Sequence, residues 1–148
     1  MKLRILINLI KNHFFDNIHH PKFNIRYTET DQMGFVHHSN FLNYFELARI
    51  EWLDMIGFSY AAMEKKGIVM PVVATNVNFI SPAYFGDWLS IILSMDEMPK
   101  ARIKLYYKVI NQEGIEIANG ATTLAFLDQK HQRPVRCPKA LLDIFQSL

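Results

Sequence analysis

The chain has 148 residues, of which 50% are hydrophobic and 20% charged, and its formal net charge is +2. This length predicts one domain with one core, and the composition is typical of a globular protein and excludes a disordered chain. The small net charge gives no reason to expect a nucleic acid or a membrane as partner. Cys137 is the only cysteine, which excludes an internal disulfide and fits a reducing, cytoplasmic compartment.

Residues 1–20 are predicted to be an N-terminal extension to a domain that covers residues 21–148. The apolar stretch Ile5–Ile10 looks briefly like a signal peptide, but Asn8 interrupts it, Lys11 ends it and no small-residue cleavage site follows. It is also far shorter than the ~20 apolar residues that span a bilayer. Helical spacing predicts a short amphipathic helix here, with membrane attachment as the less favoured alternative; the apolar face would contain Leu6, Leu9, Ile10 and His13.

The domain is predicted to begin with a strand, a glycine-containing loop and one long helix. Polar and apolar side chains alternate over residues 22–27, which predicts the strand. Ser39 or Asn40 can cap the following helix, because a side-chain oxygen there accepts an unpaired backbone N–H. The helix, over residues 41–56, is apolar on almost all sides, so we expect it to be enclosed on most of them. A shorter helix is expected over residues 59–66.

From Ile68 onward the hydrophobic period changes to two, which predicts four strands over about 73–79, 87–98, 103–109 and 115–127. Consecutive strands joined by short turns pair antiparallel, and Asn111–Gly114 is a hairpin signal. Pro138 suits the first turn of a final helix. We therefore predict an α+β fold, in which an antiparallel sheet of five to six strands wraps around one long central helix.

The loop and long helix carry polar residues at fixed spacings, Thr30-Asp31-x-x-Gly34-x-Val36-x-His38-x-Asn40 and Tyr44-Phe45-Glu46-x-Ala48-Arg49-x-Glu51. This pattern resembles the signature of the hotdog-fold acyl-CoA thioesterases, in particular the 4-hydroxybenzoyl-CoA thioesterase/YbgC-like branch. The resemblance covers residues 22–144. It implies a hotdog fold, an acyl-CoA substrate, no cofactor other than the coenzyme A of that substrate, and a homodimer or homotetramer with active sites at the subunit boundary.

The resemblance assigns the central chemical roles to the loop before the long helix. Asp31 is implied as the catalytic acid, either as a nucleophile or as a general base on water; taken alone, an aspartate before Gly34 could simply cap a turn. The backbone amide of His38 is implied as the oxyanion donor, because free N–H groups at a helix start favour negative charge. Gly34 would let the backbone approach the ligand closely. The imidazole of His38 either holds the loop or assists proton transfer.

Other residues are predicted to line the acyl pocket or to support it. The pocket candidates are Val36, Asn40, Phe41, Tyr44, Asn76 and Asn78, each of which could also belong to the core or an interface. Glu46 and Arg49 are expected to pair with each other or across a subunit boundary, because buried charges need partners; a catalytic Glu46 is the alternative. The family usually has a tyrosine where this chain has Phe41, and often one where it has His37.

No metal is expected, because His19-His20 and His37-His38 lack further ligands at a known spacing. The basic residues near the C-terminus are most simply a solvated face, with coenzyme A phosphates as an alternative partner; they are Lys130, His131, Arg133, Arg136 and Lys139. Two other functions compete with hydrolysis. A hotdog hydratase or dehydratase would need an Asp-x-Asn-Pro-x-His motif, which fails here after Asp31, and a module that only binds acyl-CoA or acyl-carrier protein would lack turnover.

Overall fold

A computed structural model of the chain describes residues 18–19 and 22–148. Two short strands, β1 (Ile18–His19) and β2 (Phe23–Asn24), precede a 3₁₀ helix (Tyr27–Glu29). The helices are α1 (Asn40–Met55), α2 (Tyr60–Lys65) and α3 (Lys139–Ser147). The remaining strands are β3 (Ile68–Val69), β4 (Val72–Phe79), β5 (Trp88–Ser94), β6 (Arg102–Ile110), β7 (Glu116–Ala125), β8 (Leu127–Asp128) and β9 (Arg133–Pro134).

The main sheet is antiparallel and has six strands, in the order β1-β5-β6-β7-β4 with β2 also pairing with β5. The predicted α+β architecture is confirmed, but the expectation that all consecutive strands pair was wrong, since β4 pairs with β7 and not with β5. Residues 80–87 join β4 to β5 and do not form a tight turn. Instead the N–H groups of Ile80 and Ser81 both donate to the Ile117 carbonyl, which directs this segment over the end of the sheet.

The predicted long helix is confirmed as α1, and one of its faces packs into the core. The buried side chains recur at helical spacing, as expected for a helix packed on a sheet; they are Phe41, Tyr44, Phe45, Ala48, Arg49, Trp52 and Leu53. Leu42, Leu47 and Met55 on the other faces are 43–61% exposed. The expectation that this helix is enclosed on most sides was therefore wrong for the single chain, because the sheet covers only one side of the helix.

Both ends of the domain differ from the sequence-based boundaries. The predicted first strand is shortened to β2 because Arg26 and Glu29 close a 3₁₀ turn, in which the Glu29 carboxylate accepts hydrogen bonds from the Arg26 N–H and guanidinium at 2.7 and 3.0 Å. Pro138 precedes α3 as its N-cap residue. β1 already pairs with β5 before residue 21, and the division at that residue stays a prediction. The amphipathic helix predicted within residues 1–20 lies outside the described residues.

Within residues 18–19 and 22–148, no helix is long and apolar enough to cross a membrane.

Helix α1 approaches the sheet closely at Gly120. This glycine lies in β7 opposite Val77 on one side and Tyr107 on the other, and the Tyr107 ring stacks on Phe45 of α1 at 4.2 Å. A Cβ added at Gly120 would lie against the Asn76 carbonyl oxygen and 2.9 Å from the Phe45 ring. The absence of a side chain at this residue therefore allows the aromatic pair to sit directly on the sheet.

We expect Gly120→Ala to lower the free energy of unfolding by about 1–3 kcal/mol, the usual cost of overpacking a tightly packed core. Urea denaturation of the variant and of the wild type measures this difference. An unfolding midpoint equal to that of the wild type would contradict the close approach of Phe45 and Asn76 to this residue.

Candidate active site

The loop between the 3₁₀ helix and α1 holds Asp31 in a tight turn. The Asp31 N–H donates to the Phe35 carbonyl and the Gly34 N–H donates to the Asp31 carbonyl, both at 3.0 Å. Gly34 has a φ of 87°, a conformation that glycine adopts without the steric cost other residues meet. This turn holds the half-buried Asp31 carboxyl in place at the start of the loop.

The two oxygens of the Asp31 carboxylate have different surroundings. Oδ1 accepts the N–H of Met33 at 2.8 Å, so the residue does cap its turn. Oδ2 makes no hydrogen bond to any part of the chain that the structure describes. One oxygen thus fixes the side chain while the other stays available, which makes the turn-capping and catalytic interpretations compatible.

Helix α1 begins without the side-chain cap that was predicted. Ser39 is the N-cap residue, but its Oγ pairs with His37 Nδ1 at 2.8 Å. The Asn40 amide points back into the loop and donates to the carbonyls of Glu29 and His37 at 2.9 and 3.3 Å. The prediction of a Ser39 or Asn40 cap was wrong, because both side chains brace the loop and leave the positive end of the helix without a side-chain acceptor.

The backbone N–H of His38 is unpaired among the described residues. Its neighbours are fixed, since the His37 N–H donates to the Glu29 carbonyl at 2.9 Å and the Asn40 N–H donates to the His37 carbonyl at 3.0 Å. The peptide that carries the His38 N–H therefore has a rigid frame at the helix start. An unpaired, preorganised N–H of this kind can stabilise a developing oxyanion.

Asp31 and His38 line one cleft of about 410 Å³. Its apolar walls come from the Asp31 loop, from the first turn of α1 and from the segment after β4; they consist of Met33, Phe35, Val36, Phe41, Phe79, Ile80, Pro82 and Ala83. Ser81 adds one hydroxyl. The Val36 N–H donates to the Ala83 carbonyl at 2.8 Å, which ties two of these walls together. The cleft brings Asp31 and the residue before helix α1 to a largely apolar space.

The structure brings together only some of the predicted pocket residues. Val36 and Phe41 line the cleft, whereas Asn40 braces the loop from behind. Asn76 and Asn78 lie on the exposed strand β4 outside the cleft, and Asn78 binds the Asn119 side chain at 2.9 Å.

Tyr44 lies outside the cleft, behind the ring of Phe41. It faces a second groove of about 330 Å³ that also contains Arg26 and Glu29. Its hydroxyl is buried and has no hydrogen-bond partner among the described residues. Burial, followed by the nearby Glu29 charge, raises the pKa of Tyr44 above its ordinary value.

Glu46 and Arg49 form an ion pair on helix α1 and do not line the cleft. Their side chains approach to 3.2 Å, with the Arg49 side chain 10% exposed and that of Glu46 57% exposed. Arg49 also lies near Tyr107, whose pKa is raised by burial against the opposing influence of the Arg49 charge. Glu46 therefore pairs with Arg49 within one chain, at a distance from the Asp31 loop.

Two ion pairs of the basic C-terminal run lie outside the cleft. In the basic C-terminal run, His131 pairs with Asp128 and Lys139 pairs with Asp143, each at 2.8 Å. Across the described ranges, no group of three His, Cys, Asp or Glu side chains could hold a metal ion.

The sequence analysis missed the wall formed by Phe79 and residues 80–83. Phe79 is the last residue of β4, and its ring lies 5.4 Å from that of Phe41 and 6.4 Å from that of the exposed His38 imidazole. The break at Ser81-Pro82 was visible as the end of a strand. Its position beside the Asp31 loop was not, because it follows from the pairing of β4 with β7.

Cys137 is not a nucleophile candidate. Its thiol is buried away from the cleft, and burial raises its pKa to about 12. Because the thiolate is the reactive form, the raised pKa keeps the Cys137 thiol protonated and unreactive near neutral pH.

We expect the folded protein not to react with Ellman's reagent within minutes at pH 8. After unfolding in guanidinium it should release one equivalent of colour. A full equivalent from the folded protein would contradict the burial of Cys137, and the result also shows whether coenzyme A release can be followed with this reagent.

Residues 25–145 match the sequence profile of the thioesterase-like superfamily. YneP of Bacillus subtilis, which is named for acyl-CoA thioesterase activity, is 30% identical over 80% of this chain and 86% of its own length. The acyl-acyl carrier protein thioesterase ATL3 of Arabidopsis thaliana is 30% identical over 86% of this chain and 67% of its own. The crystal structure of a DHNA-CoA thioesterase from Staphylococcus aureus superposes with a TM-score of 0.82 at 28% identity, covering 88% of this chain and 91% of that one.

Proposed function

Because the chain belongs to the thioesterase-like superfamily, we propose that it hydrolyses acyl-CoA thioesters to the free acid and coenzyme A, with Asp31 and the His38 N–H as its catalytic groups. One observation carries the assignment of these groups. A carboxylate with one unpaired oxygen and a helix-start residue with an unpaired N–H line the same apolar cleft. The proposed substrate is an acyl-CoA of the cytoplasm, with no nucleic acid or membrane partner and no cofactor other than the coenzyme A of that substrate.

The reaction needs a nucleophile at the thioester carbon and a donor for the oxygen that becomes negative. In the general-base route, Asp31 Oδ2 takes a proton from water as the water oxygen bonds to the carbonyl carbon. The resulting oxyanion accepts the hydrogen bond of the His38 N–H, a donor typically worth ~10²–10³ in rate. The C–S bond then breaks, and the proton on Asp31 goes to the departing thiolate.

In the nucleophilic route, Asp31 Oδ2 itself bonds to the carbonyl carbon and the thiolate leaves, giving a mixed anhydride that water then cleaves. A single turnover in H₂¹⁸O, run with and without hydroxylamine, separates the two routes. When water attacks the anhydride at the acyl carbon, the ¹⁸O enters the product, and hydroxylamine traps the anhydride as an acyl hydroxamate. When water attacks at the Asp31 carbon, the ¹⁸O enters Asp31. In the general-base route all ¹⁸O enters the product, and no anhydride is trapped.

We expect Asp31→Asn to lower kcat for coenzyme A release by at least about 10²-fold, in line with the ~10²–10⁴ that a positioned acid–base group contributes. The asparagine Oδ1 can still accept the Met33 N–H, so the turn and the fold should remain. Thiol release from short, long and aromatic acyl-CoAs measures the loss, with circular dichroism as the test of folding.

Asp54→Asn, in the last turn of α1 on an exposed residue, is the matched control and should retain full activity. A folded Asp31→Asn protein with wild-type activity would overturn the catalytic assignment. A wild type that binds acyl-CoA without releasing thiol would instead support the binding module, and a carrier-protein thioester would be the next substrate to test.

We further propose that the protein assembles as a homodimer through β4, with pairing of dimers giving a homotetramer. In the described structure β4 pairs on one side with β7, so its other side presents unpaired backbone groups. Val72, Val73 and Phe79 on this strand are 47–55% exposed, which is an apolar surface that a second copy can cover. The cleft lies at the end of the same strand, because Phe79 is one of its walls.

We expect the mass in solution to be a multiple of the 17.3 kDa chain, and Val73→Lys to shift it toward 17.3 kDa. A lysine at this edge cannot be buried without losing its hydration. Light scattering coupled to gel filtration measures the mass. Met55→Lys, at the exposed end of α1, should leave it unchanged, and a monomeric wild type would contradict the proposal.

A further inference from the structure

Glu29 carries a carboxylate that is almost entirely buried and lies outside the cleft. Its side chain is 9% exposed, whereas that of its partner Arg26 is 76% exposed. Glu29 lines the second groove beside Tyr44 and is not among the described residues that line the cleft. Because a buried carboxylate is costly unless hydrogen-bond donors surround it, the donors around Glu29 indicate what it does.

The carboxylate ties the 3₁₀ helix to the chain that precedes it. One oxygen accepts the Arg26 N–H at 2.7 Å and the other accepts the Arg26 guanidinium at 3.0 Å. The Glu29 N–H donates back to the Arg26 carbonyl at 3.0 Å. The neighbouring Ile25 is fully buried, and its N–H and carbonyl pair with the Asp87 carbonyl and the Gly86 N–H just before β5. Glu29 is therefore fixed to a buried part of the chain next to the sheet.

The same residue holds the start of α1 through its backbone. Its carbonyl accepts the His37 N–H and the Asn40 side chain, both at 2.9 Å. The His38 N–H, which is unpaired among the described residues, lies on the chain between these two anchors. The carboxylate that fixes Glu29 thus also fixes the frame that carries the His38 N–H.

We infer that Glu29 is a positioning residue for the reaction, whose carboxylate holds the His38 N–H where the oxyanion forms without touching the substrate. The inference rests on the proposed function for the role of that N–H. A preorganised donor is typically worth ~10²–10³ in rate, and a small displacement loses much of this contribution. Because the hydrogen bond matters in the transition state, its loss should lower kcat and leave KM nearly unchanged.

Two matched pairs of variants test this role. Glu29→Met removes the acceptor at nearly constant size, whereas the side-chain oxygen in Glu29→Gln can still accept the Arg26 N–H. Arg26→Pro removes that N–H where φ is −84°, close to the range that proline adopts, whereas Arg26→Ala removes only the exposed guanidinium.

We expect Glu29→Met and Arg26→Pro each to lower kcat for thiol release by at least about 10-fold while KM stays within about 2-fold. Glu29→Gln and Arg26→Ala should keep kcat within about 3-fold of the wild type, because both retain the hydrogen bond from the Arg26 N–H. Circular dichroism tests folding, and if one of the two disruptive variants fails to fold, the other pair still carries the test.

Wild-type kcat in a folded Glu29→Met or Arg26→Pro protein would overturn the inference, as would a rise in KM without a fall in kcat. Glu46→Met is the matched control, because it removes the carboxylate of another Glu–Arg pair three residues apart, at a distance from the Asp31 loop. It should retain wild-type kcat. A loss equal to that of Glu29→Met would show a general effect of breaking such a pair and would also overturn the inference.

Amide hydrogen exchange at His37, measured by NMR, separates this inference from the proposed function because it needs no turnover. Its N–H donates to the Glu29 carbonyl, so we expect exchange at least about 10-fold faster in Glu29→Met and Arg26→Pro, but not in Glu29→Gln or Arg26→Ala. Absence of thiol release from the wild type would reject the proposed hydrolysis, and faster exchange would then support the positioning of the helix start on its own. Unchanged exchange in both disruptive variants would overturn the positioning role whether or not the wild type hydrolyses thioesters.

Discussion

The site depends on two hydrogen bonds that the Glu29 carbonyl accepts. It accepts hydrogen bonds from the His37 N–H and from the Asn40 side chain, both at 2.9 Å, and so joins the 3₁₀ helix to the start of α1. The chain between these two anchor points contains the Asp31 turn and the His38 peptide. Because both ends of this segment are fixed, the carboxylate and the N–H keep a constant relation that a flexible loop could not provide. Such preorganisation is what makes a hydrogen-bond donor effective in catalysis.

The cleft itself depends on contacts that are distant in sequence. The pairing of β4 with β7 carries Phe79 to the end of the sheet, and the Val36–Ala83 hydrogen bond holds the following segment against the Asp31 loop. Gly120 lets α1 lie close to the same sheet at Phe45. Each wall therefore comes from a different element, and the apolar space exists only where they converge.

The fold class, the long helix and the loop chemistry could be predicted from the sequence because they depend on local patterns. Hydrophobic period, glycine turns and the spacing of Asp31 from His38 are all visible in short windows. The position of β4 could not be predicted in this way, since strand order depends on pairing between residues that are 39 or more apart in the sequence, such as Phe79 with Ala118. The predicted helix cap was wrong because each side chain has another hydrogen-bond partner nearby. Ser39 pairs with His37 and Asn40 donates to the Glu29 carbonyl, so neither accepts an N–H from the first turn of α1.

The uncapped start of α1 links occupancy of the cleft to the stability of the whole chain. The N–H groups of Asn40 and Phe41 donate to the carbonyls of His37 and His38, so the N–H of His38, just before the helix, is the one without an acceptor among the described residues. A ligand oxygen bound at the His38 N–H would supply that acceptor. Such a ligand acts as part of the folded protein, and by mass action every tenfold rise in its concentration above Kd adds about 1.4 kcal/mol to the free energy of unfolding.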